Sequence, residues 1–171
     1  EAFANCSSLI DIDLSDSLTE IGNSAFENCY SLERIFIPSG VEMKDAGSPA
    51  FVGTPLLKTI VFEEGREEIS GAPYFNLNSG ADIYIPKSVK RVSLSPFIVE
   101  DNTPIELIFL GDCPELIETH EKLGDPTVYY DVRTSGWESC AWRDAYPIKE
   151  NQYLFIDGKE NEVWKNCLEY F

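Results

Sequence analysis

The sequence has little positive charge and only one histidine, and both shortages exclude functions. Thirteen lysine and arginine residues stand against 30 acidic residues, which gives a formal net charge of −17. Most of such a surface would repel a phosphate backbone or an anionic membrane, so we do not expect nucleic acid as a partner. His120 has no serine or cysteine beside it, and a single histidine cannot form a multi-histidine metal site.

Long apolar runs and closely spaced cysteines are also absent. No run approaches the roughly 18 apolar residues of a membrane-spanning helix, so we do not expect these residues to insert into a membrane. The five cysteines are never closer than 23 residues, which excludes a C-x-x-C redox or zinc motif. No phosphate-binding glycine loop, nucleophile elbow or dinucleotide fingerprint occurs. We therefore predict no catalytic residue, no metal site and no cofactor.

Acidic residues cluster in two places without forming a motif. Asp11, Asp13 and Asp16 are spaced as in a calcium loop, but the glycine and glutamate that such a loop needs are missing. A second group could contain the carboxylate pair of a glycosidase: Glu63, Glu64, Glu67 and Glu68. With 30 acidic residues in the chain, we interpret this group as a solvated turn.

An internal repeat is the dominant feature of the sequence. Residues 2–9 read A-F-A-N-C-S-S-L and residues 25–32 read A-F-E-N-C-Y-S-L, at an offset of 23. One phenylalanine marks each unit, at spacings of 23, 25, 24 and 22 residues: Phe3, Phe26, Phe51, Phe75 and Phe97. This period is within the range of about 20 to 29 residues that leucine-rich repeats use.

Apolar residues recur at fixed distances after each phenylalanine and predict one short strand per unit. The pattern of an apolar residue, any residue and another apolar residue is typical of a strand. The predicted strands are centred near Ile12, Ile35, Ile60, Ile83 and Leu107. One unit cannot bury its apolar side alone, so the units must stack with their strands in parallel. The predicted fold class is α/β: a leucine-rich-repeat-like right-handed solenoid with one parallel β-sheet and short helical or turn returns.

These units resemble the leucine-rich repeats of the BspA-like class, with the motif A-F-x-x-C-x-x-L-x-x-I-x-[LI]-P and a following I-G pair. Residues 107–114, 127–130 and 135–137 resemble the segment with which many such arrays end. The resemblance covers about residues 1–146. Members of this class are mostly bacterial surface or secreted proteins that bind other molecules, and the resemblance implies the same for this chain. It implies no enzymatic residue. Because Glu1 lies within a repeat, we expect a signal or capping repeat upstream in a longer parent protein.

The C-terminal part is predicted to leave the repeat. We divide the chain into a solenoid with its cap, residues 1–146, and a C-terminal extension, residues 147–171. Asp112, Pro114 and Gly124 bracket a predicted short helix with Leu116, Ile117, His120 and Leu123 on one side. Apolar residues at helical spacing predict a second helix in the extension: Val163, Trp164, Cys167, Leu168 and Phe171.

Cys6 and Cys29 occupy the same position in adjacent units. The repeat uses a small apolar side chain there, so we predict that both face inward as reduced thiols. A disulfide between them stays open as an alternative, because neighbouring strands place Cα atoms about 5 Å apart.

Between the inward residues of each strand, the side chains point outward and form two columns. The outer column is Asp13, Phe36, Val61, Tyr84, Ile108 and Tyr129. The polar column beside it is Asp11, Arg34, Thr59, Asp82, Glu106 and Thr127. We predict a ligand-binding face on the five apolar or aromatic members of the outer column, with Arg34, Asp82 and Glu106 setting the orientation of the ligand.

These features favour a non-enzymatic recognition module, extracellular or at the cell surface, that binds a protein or glycan through the exposed face of the sheet. Two alternatives stay open. If the outward side chains only stabilise the sheet through contacts along the column, the solenoid is a spacer that projects another domain. A substrate-binding part of a secreted enzyme is the other alternative.

Overall fold

The computed structural model describes residues 1–42, 48–71, 74–77, 79–99, 103–117, 126–150, 155–156 and 159–160. Six parallel strands form the main sheet: β1 Arg34–Ile37, β2 Thr59–Phe62, β5 Ala81–Ile85, β8 Ile105–Phe109, β10 Thr127–Tyr130 and β11 Ile148–Glu150. Two smaller parallel sheets consist of β3 Glu68–Ile69, β6 Arg91–Val92 and β9 Glu115–Leu116, and of β4 Phe75–Asn76 and β7 Phe97–Ile98. A 3-10 helix, Trp137–Ser139, and a short helix, α1 Ala141–Ala145, follow β10. The strands β12 Phe155–Ile156 and β13 Lys159–Glu160 form an antiparallel pair.

The main sheet confirms the predicted parallel stacking at four of the five strand centres. Ile35 pairs with Ile60, Ile60 with Ile83, and Ile83 with Leu107. The sheet then continues through Val128 to Ile148. From β1 to β10, these residues and their neighbours two positions along the chain are buried, so the core lies on the inner side of the sheet, and Ile148 is partly buried against it.

The strand predicted at Ile12 is wrong: residues 9–15 form no strand. Only the following turn covers this segment, and a single backbone hydrogen bond, from Glu33 N–H to the carbonyl of Ile10 (3.1 Å), ties it to the start of β1. The N–H of Ile12 instead donates to Oδ1 of Asp11 (2.9 Å). A local bond of this kind competes with strand pairing, and here it replaces it.

The returns carry two further sheets, whereas the sequence predicted one sheet with helical or turn returns. A full turn therefore has three short strands, as in β2, β3 and β4, or in β5, β6 and β7. Ile69 and Val92 are fully buried and pair with each other across the second sheet. Helix is confined to the cap in the described part of the chain.

The five repeat-marking phenylalanines stack along the solenoid axis, and we call them the phenylalanine column. Ring centroids of successive members are 5.2, 4.8, 4.9 and 5.5 Å apart, and neighbouring rings lie within 17° of parallel. Such offset stacks add about 0.5 to 1.5 kcal/mol per pair to the burial of the rings. One aromatic per turn thus provides a continuous core.

Two positions after the marker, the backbone takes a left-handed conformation in three successive turns. Asn5, Asn28 and Gly53 have φ of 65, 58 and 68°. Asparagine tolerates this region better than most residues, and glycine adopts it freely. At Gly53 a Cβ would also lie 2.5 Å from Oδ1 of Asn28, so a side chain there would displace the Asn28 amide.

Cys29 is buried as predicted, but Cys6 is exposed, which corrects its predicted inward packing. In the described part of the chain, no turn covers the position of Cys6, whereas Cys29 lies under the first turn and its thiol donates to the carbonyl of Phe3 (3.2 Å). Burial raises the pKa of Cys29. Both residues are free thiols.

The cap and the extension differ from the predicted helices. Glu115 and Leu116 belong to β9 and pair with β6, so the predicted helix does not begin after Pro114. Residues 118–124 of the predicted helix, including His120, are outside the described residues. Trp137 and Trp142 bury their rings against Phe109 and close this end of the core.

The main sheet continues beyond residue 146, because β11 pairs with β10. The extension thus begins with strand and not with helix, and β12 and β13 are also strands. The helix predicted at residues 163–171 is outside the described residues. The division at residue 146 itself stays a prediction.

Candidate functional site

The strands of the main sheet place the predicted outer column in register. Phe36 pairs with Val61, Val61 with Tyr84, Tyr84 with Ile108, and Ile108 with Tyr129. Lys149 continues the column beyond Tyr129, which the sequence did not predict. In β2 and β5, the residues directly before and after Val61 and Tyr84 are buried, whereas Val61 and Tyr84 themselves are partly exposed. The column therefore faces away from the core.

Within the outer column, side chains pack against each other on the outer face. Ile108 is only 6% exposed and packs with Tyr84, Tyr129 and Leu110 in a cluster separate from the core. The ammonium of Lys149 lies 5.6 Å from the centroid of the Tyr129 ring, at cation–π distance. Ile108 therefore supports the two tyrosines and offers little surface of its own, while Phe36, Val61, Tyr84 and Tyr129 stay partly exposed.

The polar column is also in register, from Arg34 through Thr59, Asp82 and Glu106 to Thr127. At its first end, Arg34 forms an ion pair with Asp11, at 2.5 Å between Nη2 and Oδ2. Both side chains are exposed, so the pair contributes at most about 1 kcal/mol to stability. Arg34, the only positively charged residue in the predicted binding face, is thus held beside Asp11 of the preceding turn.

Asp82 and Glu106 are adjacent carboxylates in the middle of the polar column. Partial burial, and then the charge of Glu106, raise the pKa of Asp82. The hydroxyl of Tyr129 donates to Oε1 of Glu106 (3.3 Å), which joins the polar column to the outer column. A cation or a hydroxyl-bearing group placed beside these carboxylates would offset their repulsion, and this is the chemistry the face offers a ligand.

A cleft at the carboxyl ends of the strands was not predicted from the sequence. Its volume is about 580 Å³, and its lining is Lys87, Leu110, Gly111, Asp112, Asp131, Arg133 and Thr134. Asp131 is buried and accepts hydrogen bonds from Nε of Arg133 at 2.8 and 3.0 Å, which lower its pKa. Asp112 accepts the N–H of Ser135 (2.8 Å). Both carboxylates therefore already have hydrogen-bond partners within the chain.

The acidic group in the turn after β2 serves to join turns. Glu63 accepts the N–H of Ser39 (2.7 Å), Glu64 accepts that of Lys87 (3.0 Å), and Glu68 pairs with Arg91. In the described part of the chain, no three His, Cys, Asp or Glu side chains are grouped to hold a metal ion. Three of the four glutamates thus have structural partners in neighbouring turns.

The family of the chain follows from a comparison of its sequence with known protein families. The BspA-type leucine-rich repeat region matches residues 1–103, in six copies. This chain belongs to the BspA-type leucine-rich repeat family. The match is shorter than the predicted range of 1–146, although strands in register with the repeats continue to Glu150. No curated protein and no solved structure matches the chain.

Family membership defines the class of the protein. BspA-type repeats are typical of cell-surface or secreted proteins, and leucine-rich repeat families are generally non-enzymatic. None of the helices in the described ranges has the length and apolar character to span a bilayer. The protein is thus a repeat module with a solenoid scaffold.

Proposed function

We propose that this solenoid is an extracellular or cell-surface recognition module that binds a protein or glycan through the outer face of its main sheet. The observation that supports this proposal is the in-register column of partly exposed apolar and aromatic side chains, bordered by a polar column. Aromatic side chains are the most frequent binding hot spots, and a polar border is usual around them. Catalysis has no part in this proposal.

The dimensions of the face limit the size of the ligand. Parallel strands are about 4.8 Å apart, so the five positions from Phe36 to Tyr129 span about 20 Å. This length fits an extended protein segment or a short glycan. Tyr84 and Tyr129 can stack on sugar rings or on apolar side chains, and the Asp82–Glu106 pair can accept hydrogen bonds from hydroxyl or ammonium groups.

The packing of Ile108 also supports the spacer alternative, because it shows that outward side chains stabilise one another. The two functions differ in what Tyr84 does. In a recognition module, Tyr84 contacts the ligand; in a spacer, it contributes only to the stability of the sheet. A binding measurement with a folded variant separates them.

The test screens the purified chain against a glycan array and a panel of extracellular proteins, and then measures variants on each ligand found. Tyr84→Ala is expected to weaken binding about thirty-fold, equivalent to about 2 kcal/mol. Tyr30→Ala is the matched control, because Tyr30 is 51% exposed and lies outside the main sheet. Glu67→Ala, on a turn, is a second control.

Two results would count against recognition by this face. One is an unchanged dissociation constant in the double variant Phe36→Ala, Tyr84→Ala, provided that circular dichroism shows the native fold. The other is an equal loss of binding in Tyr30→Ala, since that would place the ligand elsewhere. A chain that binds nothing on either panel, while outer-column variants lose stability, supports the spacer.

A further inference from the structure

Two segments of the C-terminal cap that are distant in sequence are held together by hydrogen bonds. The backbone N–H of Cys113 donates to the carbonyl oxygen of Ser135 (2.9 Å). The indole N–H of Trp142 donates to the carbonyl oxygen of Pro114 (3.0 Å), and this tryptophan is completely buried. The cap therefore fixes the position of Cys113 relative to the start of α1.

The thiols of Cys113 and Cys140 meet between these segments. Both side chains are partly buried against the core, and they are close enough for the Cys140 thiol to raise the pKa of Cys113. Sγ of Cys113 also lies 3.6 Å from the carbonyl oxygen of Pro114, and Sγ of Cys140 lies 3.7 Å from that of Trp137. Both residues are free thiols in this structure, and neither is fully shielded from solvent.

The backbone around the two thiols permits close approach. Gly136 has φ of 83° and follows Ser135, and a Cβ on it would lie 3.4 Å from Cβ of Cys113. Cys140 is the N-cap of α1, in an extended conformation (φ −95°, ψ 157°). Its side chain is therefore attached just before the helix, outside the helical backbone.

We propose that Cys113 and Cys140 form a disulfide bond that fastens the C-terminal cap to the solenoid. Hydrogen bonds already hold the segments that carry the two cysteines side by side, so the two Cβ atoms need only come within the roughly 3.5 to 4.5 Å that a disulfide spans. Proteins outside the cell meet disulfide oxidants, and that location is typical of this family. The bond does not depend on the ligand of the sheet face.

The oxidant belongs to the class of small-molecule or protein disulfides, such as oxidised glutathione. One cysteine thiolate attacks a sulfur of oxidised glutathione, which forms a mixed disulfide and expels one glutathione thiolate. The second cysteine loses its proton and attacks the protein sulfur of the mixed disulfide, which expels the other glutathione thiolate. The two cysteines together lose two electrons and two protons, and oxidised glutathione gains them as two thiols.

Burial, and then the neighbouring thiol, raise the pKa of Cys113, so this thiol is protonated in the reduced protein. Because the thiolate is the attacking species, we expect bond formation to take longer than thiol exchange with a small-molecule thiol. Samples are therefore taken over many hours.

Peptide mapping identifies the bond without ambiguity. The purified chain is incubated with oxidised glutathione, alkylated, and digested with trypsin without a reducing agent. A Cys113–Cys140 bond joins the tryptic peptides 92–122 and 134–143. A Cys6–Cys29 bond would instead stay within peptide 1–34, and a Cys140–Cys167 bond would join 134–143 to 166–171. We expect the first product, with a mass lower by two hydrogen atoms.

Thermal unfolding measures what the bond does. The oxidised chain is expected to unfold roughly 5 °C or more above the reduced chain, because the bond closes a loop of 27 residues. Cys140→Ser should abolish this difference, and since serine is a favoured N-cap it should leave α1 intact. Cys6→Ser removes an exposed thiol outside the cap and should preserve the full difference.

Three results would overturn the proposal. They are a digest in which both cap cysteines stay alkylated after prolonged oxidation, a cross-link in which Cys140 joins Cys167, and an oxidation-dependent rise in melting temperature that persists in Cys140→Ser. If Cys140→Ser proves unfolded, the peptide map of the wild-type chain still decides, because it needs no variant.

Discussion

Replacing Phe51 by alanine tests whether the phenylalanine column carries the stability of the solenoid. Phe51 is fully buried, and its ring stacks on Phe26 at 4.8 Å and on Phe75 at 4.9 Å. Removing a buried phenylalanine costs about 3 to 5 kcal/mol, and two lost stacks place this site in the upper half of that range. We expect Phe51→Ala to lower the free energy of unfolding by about 4 kcal/mol.

Phe3→Ala is the matched control, since it removes the same side chain from the same repeat position. Phe3 is 37% exposed and stacks on only one ring, Phe26 at 5.2 Å. Less apolar area and one stack are lost, so we expect a cost of about 1 to 2 kcal/mol. If the phenylalanine column carries the stability, the loss of unfolding free energy should therefore be at least twice as large in Phe51→Ala as in Phe3→Ala.

Urea unfolding followed by far-UV circular dichroism measures both costs, and the slope of the transition shows whether the turns unfold together. A smaller slope in Phe51→Ala would mean that the solenoid separates into two independent parts at the third turn. Equal costs for Phe3→Ala and Phe51→Ala would refute the reasoning, because burial and stacking would then not determine the contribution of each ring.

Two further predictions concern buried charge. Arg66 is 8% exposed and donates to two backbone carbonyls at 2.9 and 2.6 Å, so Arg66→Met should cost about 2 to 4 kcal/mol by thermal unfolding, clearly more than Arg91→Met on the surface. Asp82 has a raised pKa, so its contribution to stability is complete below the unfolded pKa of about 4 and is lost as pH rises through the folded value. Asp131 has a lowered pKa, so its contribution is present above about 4 and is lost as pH falls through the folded value. At pH 7, Asp82→Asn should therefore raise the free energy of unfolding by a few tenths of a kcal/mol, and Asp131→Asn should lower it by about 1 to 3 kcal/mol. A pH series of melting curves in which either variant changes stability in the other direction would contradict the assignment.

The repeat predicted the main sheet because its period determines the register. Once each phenylalanine marks the same point of a turn, Phe36, Val61 and Tyr84 must meet on one face, and they do. The two smaller sheets could not be predicted in this way. Their strands have two residues each, which is too short for an alternating pattern to show.

Contacts between distant segments account for the wrong helix prediction after Pro114 and for the cysteine pair that the sequence did not reveal. Asp112 and Pro114 are ordinary signals for the start of a helix, but Glu115 and Leu116 pair with β6, and this tertiary pairing outweighs the local preference. Cys113 and Cys140 are too far apart for any spacing motif, so only the folded cap brings them together. Whether the outer column binds a ligand stays a prediction.

The two ends of the main sheet bear on how copies of this protein behave at high concentration. An exposed, flat and apolar edge strand invites edge-to-edge association and aggregation. At one end, the N–H of Ile12 is already occupied by Asp11, and no regular strand is presented. At the other end, β11 has three residues and ends in two exposed charged side chains, Lys149 and Glu150. In the described part of the chain, neither end of the main sheet thus offers a long, regular apolar strand with which a strand from another molecule could pair.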